Sequence, residues 1–275
     1  VTVTAWRESP EWSFMYASGI GLCAPGLPDW PTGRAILTGQ QPYRWDESPR
    51  FDRVRLPRNE ARRATATVRL ALQAAAEALD IVGLDAARCS AVFACSGGNT
   101  EALDRLCRAL TEPERLISPS QFNQSVHNAP LGYWGIATGS TLPAVSVGAY
   151  DASFAAGFLE AFVLARSENR PVILVAYDAP PPLPLQPFRP ISTRFGVALL
   201  LTPEPLPGSI ARLHGLRLQS GVADAMPAQE LERLRLSNPA ARSLPLLQRL
   251  AAGQTGMVAL PYLPETRLEL SVEPC

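Results

Sequence analysis

The sequence contains no lysine. Every fixed cation is therefore an arginine, and chemistry that needs a lysine, as a Schiff base or as the clamp of a phosphate loop, is excluded. Histidine is nearly absent as well. His127 and His214 stand far apart with no ligand-type residues at metal spacing, so neither a metal site nor a cofactor is expected. The five cysteines, Cys23, Cys89, Cys95, Cys107 and Cys275, include no Cys-x-x-Cys pair and form an odd set. Lying mostly in apolar runs, they read as the reduced thiols of a cytoplasmic protein and not as a disulfide framework. No charge predominates, with 25 basic residues against 25 acidic ones, so no nucleic acid or anionic membrane surface is implied as a partner. No stretch of about eighteen residues is free of charge and proline, and the first dozen residues carry Glu8 and Glu11 in place of an apolar core. Neither a membrane span nor a signal peptide is expected.

What is present is a globular composition, 275 residues with 47% apolar and 18% charged, enough to bury a sizeable core. The chain is organised around residues 141–166. Pro143 to Val147 is a short β-branched run that predicts a buried strand. Gly148-Ala149-Tyr150 bends the chain, and Asp151 opens a proline-free run that predicts a helix to about Arg166. Phe154, Phe158, Phe162 and Ala165 fall at helical spacing with Ala155, Leu159 and Val163 on the flank, and a helix apolar nearly all round belongs in an interior. Strand, bend and buried helix present Asp151 at the positive end of a helix dipole. An enzyme would keep its nucleophile there. The carboxylate either orients a substrate or accepts a proton, or it caps the helix through the free N–H groups of the first turn. A cap favours the ionised carboxylate and makes it a weak base.

In chain order, Trp12 to Cys23 predicts an opening strand and residues 32–60 an irregular surface loop. Ala61 to Leu79 predicts a helix with Val68, Leu72, Ala75 and Leu79 on one face, stopped by Gly83. Ala91 to Cys95 is a short buried strand. Ser96-Gly97-Gly98-Asn99 turns into a helix carrying Leu103, Leu106, Cys107 and Leu110. That turn is a weak candidate for an anion loop, since it lacks the GK[ST] and GxGxxG patterns. Ser118 to Asn128 reads as polar loop, followed by a helix through Leu131, Trp134 and Ile136 to Gly139. His127, beside Asn128, has no companion residue at catalytic spacing. Val172 to Tyr177 and Gly196 to Thr202 are apolar strands, joined by a stiff extended connector at Pro180 to Pro187. In the tail, Ile210 to Leu218 predicts a strand, Ala228 to Leu236 and Pro239 to Leu250 helices, and Met257–Leu260 with Arg267–Val272 an antiparallel pair. The expectation is an α/β fold with a mostly parallel mixed sheet, a domain over 1–208 and a short α+β extension over 209–275 packed on it.

Several stretches together carry a family resemblance. They are Arg62-Arg63 with the alanine-rich helix and Gly83-Leu84-Asp85, then Cys95-Ser96-Gly97-Gly98, then Asn128 to Gly139 with Pro143 to Val147, and last Phe195 to Leu200. In this order the chain resembles the N-terminal half of a β-ketoacyl synthase, a condensing enzyme of thiolase fold, over about residues 61–203. The family's Ala-Cys-(Ala/Ser)-Ser signature falls on Tyr150-Asp151-Ala152-Ser153, so the nucleophile position is Asp151. The family's second half carries two catalytic histidines and a lysine; here about seventy residues remain, without lysine and without a motif for His214. Ketosynthase-like chains lacking the cysteine are chain-length factors, and Asn238 to Leu247 is similar to their short bacterial subgroup, associated with aryl polyene or related pigments.

The resemblance implies a chain without condensing activity of its own. Its partners would be a catalytic β-ketoacyl synthase, bound as a heterodimer, and an acyl carrier protein, in fatty acid or polyketide biosynthesis. It also implies that the third strands pair antiparallel across a two-fold, placing Pro143 to Val147 and Gln121 to Trp134 at the contact. Asn99, Thr100, Leu103, Phe122, His127, Tyr133, Trp134, Val145 and Val147 are then the tunnel and interface candidates; the aromatic members read equally as core. Two other functions fit the residues. One is a stand-alone decarboxylase or thioesterase-like enzyme acting through Asp151; the other is a homodimeric carrier-protein scaffold with an exposed arginine patch.

Overall fold

A single sheet of eight strands runs through the computed structural model, which describes residues 14–45 and 51–275. The elements follow the chain as β1 (Phe14–Cys23), α1 (Trp30–Leu37), α2 (Arg58–Arg63), α3 (Ala66–Asp80), β2 (Ser90–Ala94), α4 (Thr100–Thr111), α5 (Pro119–Ser125), α6 (Ala129–Thr138), β3 (Ala144–Val147) and α7 (Ser153–Glu168). Then come β4 (Val172–Asp178), β5 (Phe195–Thr202), β6 (Ala211–Ser220), α8 (Gln229–Ser237), α9 (Leu244–Ala252), β7 (Gly256–Pro261) and β8 (Thr266–Pro274). The spatial order is β3-β2-β4-β5-β1-β6-β8-β7. The expected opening strand is present from Phe14; its first two residues, Trp12 and Ser13, lie outside the described residues, as do 46–50 of the expected loop.

β2, β4 and β5 are buried from end to end, which is why they read as unbroken apolar runs. Their side chains alternate between two cores. Val172, Leu174 and Leu199 join Phe154 and Phe158 of α7 on one face. Ile173, Val175, Tyr177 and Leu200 join Leu70 of α3 and Trp134 of α6 on the other. The result is helices over both faces of a mixed sheet, as a thiolase-like α/β fold requires. The balance of strand directions differs from expectation. Only β3–β2 and β2–β4 are parallel; the other five pairings are antiparallel. β5 returns beside β4 through a loop with no crossover helix, and such a return is antiparallel.

Other corrections are local. The 32–60 segment is not wholly irregular, since it holds most of α1 and the start of α2. Asp29 caps α1 by accepting from Thr32 N at 2.8 Å, and Pro31 supplies the favoured first-turn proline. The helix expected over 61–79 breaks at Ala64, because Thr65 caps α3 afresh through Val68 N. The 118–128 loop contains α5, again begun by a proline. The 180–187 connector is not extended. It turns tightly, with Leu185 N and Gln186 N both donating to Pro182 O. The helix expected over 239–250 is a 3-10 turn, Ala240–Ser243, running into α9, whose start carries Pro245. Last, β3 is not a buried strand. It is the edge of the sheet, with Ala144 exposed and the rest partly so.

Contact between β1 and α3 is backbone to backbone. A Cβ on Gly19 or Gly21 would fall about 2 Å from the carbonyl oxygens of Ala78 or Ala74. Glycine is required there by space, not by dihedral.

Candidate functional site

The bend after β3 is built as a rigid elbow. Tyr150 adopts φ 51°, the left-handed region that an aromatic residue rarely enters. Ser153 locks the bend, its hydroxyl donating to Tyr150 O at 2.7 Å and accepting from Ala149 N at 3.0 Å. Gly157, in the second turn of α7, lets the helix lie on β2, since a Cβ there would stand 2.6 Å from Ala94 Cβ. Asp151 sits in the 3-10 turn Tyr150–Ala152 immediately before α7.

Its carboxylate does not cap the helix; neither the turn nor α7 has a side-chain cap. Instead Oδ1 lies 2.6 Å from Arg189 Nη1 and Oδ2 3.5 Å from Arg242 Nη2. The Arg189 guanidinium also stacks on Tyr150, 3.7 Å from the ring centroid. Arg189 belongs to the loop between β4 and β5, and Arg242 to the 3-10 turn before α9. Two strong counter-charges thus occupy the carboxylate, leaving it poorly placed to attack a thioester. No spacing in the sequence signals this cluster, because its members come from three separate segments.

Behind the elbow lies a second carboxyl. Asp178, buried at the end of β4, accepts from Ser96 N at 2.9 Å and from Ser96 Oγ at 2.6 Å. Burial pushes it up to about 6 against the pull of those hydrogen bonds. Asn238 ties this end of β4 to the returning loop by donating to Asp178 O and Thr193 O. Cys95 is next to Ser96, and burial, with Asp178 adding, pushes its thiol well above the ordinary value. It cannot supply a thiolate in place of the missing nucleophile. Its sulfur also accepts from Gly98 N at 3.2 Å, so the Ser96–Asn99 turn spends a donor internally that an anion loop would offer to a ligand.

The predicted site residues separate into buried and exposed sets. Asn99 is buried, accepting from Ala102 N to cap α4 and donating to Thr65 Oγ1. Thr100 opens that helix, half-buried. Tyr133 is buried with its hydroxyl accepting from Gln124 Nε2 at 3.1 Å, and Trp134 packs on Phe93 in the core. His127 joins two strand ends. Its Nε2 donates to Cys95 O and its Nδ1 meets Ser146 Oγ, each at 2.9 Å. His214 lies on β6 beside Glu273, on the far side of β1 from the elbow.

The exposed set shares one side of the molecule. Leu103 and Leu110 of α4, Phe122 of α5, Val126 just after α5 and Ile136 of α6 present apolar surface to solvent. Val145 and Val147 lie partly exposed on the open edge of β3. Val126, Tyr133 and Ile136, with Arg63 and Pro119, line a cleft of about 560 Å³ between α2, α5 and α6. Beside it, residues 53–63 carry Arg53, Arg55, Arg58, Arg62 and Arg63 against the single acid Glu60. Arg55, Arg58, Arg62 and Arg63 are exposed. Among the described residues no cluster of metal-ligating side chains occurs, and no helix is long and apolar enough to cross a membrane.

A comparison with curated proteins finds no match. Among solved structures, a chain of the complex between the ketosynthase ApeO and its chain length factor ApeC from Xenorhabdus doucetiae is similar. The two are 25% identical, with 94% of this chain and 98% of that one covered and a TM-score of 0.70. A chain of the ishigamide ketosynthase/chain length factor is 14% identical over 95% and 99% of the two chains, with a TM-score of 0.72. A chain from a type II polyketide synthase carrier protein bound to its ketosynthase is 12% identical over 96% and 99%, TM-score 0.75, and shows the same fold. Residues 38–259 match the sequence profile described as "Beta-ketoacyl synthase, N-terminal domain". Because that match spans most of the sequence, the chain belongs to the family of β-ketoacyl synthase N-terminal domains.

Proposed function

We propose that this chain is a non-catalytic, chain-length-factor-like subunit that pairs with a catalytic β-ketoacyl synthase in the cytoplasm and helps shape its acyl tunnel. The observation that carries the reading is Asp151, held between Arg189 and Arg242 where a condensing enzyme needs a free thiolate. The open edge of β3 supports it, since an unpaired edge flanked by exposed apolar side chains is a ready surface for strand pairing. The similarity to a chain from a ketosynthase–chain length factor complex supports it further, and the resemblance of Asn238 to Leu247 to the short bacterial subgroup favours aryl polyene synthesis as the pathway. An acyl carrier protein is the second partner. Carrier proteins are acidic, and the arginine ridge at 53–63 is the surface whose charge suits one.

Co-expression with a ketosynthase encoded in the same operon, followed by sizing, tests the pairing. A one-to-one complex that elongates thioesters, with neither chain active alone, is the expected outcome. A purified chain that becomes acylated, or that hydrolyses or decarboxylates a carrier thioester with loss on Asp151→Ala, would refute it in favour of an enzyme. Within the complex, Leu103→Trp is expected to shorten the products, because Leu103 stands exposed on α4 among the apolar side chains of that side. Alone, the same face serves for self-pairing into a homodimer.

A further inference from the structure

We propose that Arg189 and Arg242 form a carboxylate-binding site whose occupant is the chain's own Asp151, an internal plug that fastens two distant segments over the start of α7. A guanidinium offers a planar fork matched to a carboxylate, and here two from separate segments converge on one. The other acids nearby are committed elsewhere. Glu232 is held by Arg235 at 2.7 and 2.6 Å, and Asp178 by Ser96 through Oδ1, its Oδ2 being buried without a hydrogen bond among the described residues. The arginine pair also keeps donors in reserve: Arg189 Nη2 and Arg242 Nε are buried and make no hydrogen bond among the described residues. Asp151 is the anion these two cations share. Removing it leaves two half-buried guanidiniums facing each other with only Glu232 and Asp178, which do not ion-pair with them, as counter-charges.

The plug is also reachable. The Asp151 side chain is 45% exposed, so its removal opens a solvent-connected space of carboxylate size between fixed arginines. A small monocarboxylate such as formate fits that space chemically. With Asp151 in place, the loop between β4 and β5 and the turn before α9 are tied to the elbow, and no external carboxylate enters. This goes beyond the pairing proposal, which shares the Asp151 observation but draws from it the missing thiolate, whereas the plug rests on the two guanidiniums that converge there.

The experiment follows the thermal unfolding of Asp151→Gly in sodium formate and in sodium chloride at equal ionic strength. Asp151→Gly melts several degrees below the unsubstituted chain, and formate restores the loss saturably. The unsubstituted chain, and the double variant Asp151→Gly with Arg189→Gln, respond alike to both salts. Formate and chloride acting equally on Asp151→Gly, or no fall in melting temperature, would overturn the proposal. Should Asp151→Gly not fold, Asp151→Asn keeps the bulk without the charge. Chymotrypsin then reads the loop at Phe188, which is 82% exposed and next to Arg189. Faster cleavage than in the unsubstituted chain is expected, and an unchanged rate would overturn the plug.

Discussion

Glu77 and Asp178 are carboxyls kept inside the protein for structural work. The two oxygens of Glu77 accept from Leu22 N at 2.8 Å and Trp30 N at 2.7 Å, holding the end of β1 to the start of α1. Burial pushes this group from its ordinary 4.5 up to about 7, although both N–H groups pull it back. Asp178 rises from 3.8 to about 6 for the same reason. A carboxyl whose folded pKa exceeds its unfolded one contributes stability below the unfolded value and loses it as pH rises through the folded value. The urea midpoint therefore declines from about pH 4.5 to about pH 7. Glu77→Gln removes the upper part of that decline. A midpoint that climbs across the window would contradict the assignment. Nothing about these roles was legible in the sequence, where Glu77 is one polar residue among alanines of a helix. The same holds for Arg189 and Arg242; position alone drew attention to their partner Asp151, and of the two readings its place allowed, capping is not how the carboxylate is bonded.

At the scale of elements, α7 depends on its seat against β2. Gly157→Ala would place a methyl 2.6 Å from Ala94 Cβ and 3.1 Å from Leu174 Cδ1. Overpacking of this kind costs about 1–3 kcal/mol, more than the roughly 1 kcal/mol that alanine gains over glycine in a helix, so a lower denaturation midpoint is expected. β3 depends on what meets its outer edge. Pro143 O and Val147 O accept from Ala91 N and Cys95 N of the β2 segment, so alternation turns the N–H groups of Ala144 and Ser146 outward. Ala144→Pro removes an outward donor and none from the ladder. It should abolish co-purification with the ketosynthase while leaving the melting temperature of the chain alone nearly unchanged. Elements were readable where burial leaves a signature: β2, β4 and β5 are apolar runs because neighbours cover them on both faces, and α7 because most of its circumference is buried, with Val163 left exposed. α1, the start of α2 and α5 were missed because these helices are short and begun at prolines, and short helices owe their stability to packing that sequence does not display.

For the whole molecule, a net charge of zero conceals an uneven distribution. The ridge at 53–63 holds five of the 25 basic residues, so the rest of the surface is net acidic. Arg53 and Arg55 meet Asp80 and Arg63 meets Glu60, whereas Arg58 and Arg62 have no ion pair among the described residues. Charge reversal at both, Arg58→Glu with Arg62→Glu, is expected to weaken carrier-protein binding at least tenfold by calorimetry and to flatten its dependence on salt. Equal affinity would place the carrier elsewhere. The class of the fold was legible because helices and strands alternate through α7. The strand directions were not, because the sequence does not tell a returning loop from a crossover.

The position of β1 has a consequence for biosynthesis. It is the earliest strand described, yet its neighbours in the sheet are β5 and β6, from Phe195 and Ala211 onward. A nascent chain must therefore carry β1 without a strand partner until Phe195 and the strand it opens have followed, with α3 the earlier element that covers one of its faces. Closure of so long a loop is slow. Fragments ending before Phe195 are therefore expected to precipitate instead of folding.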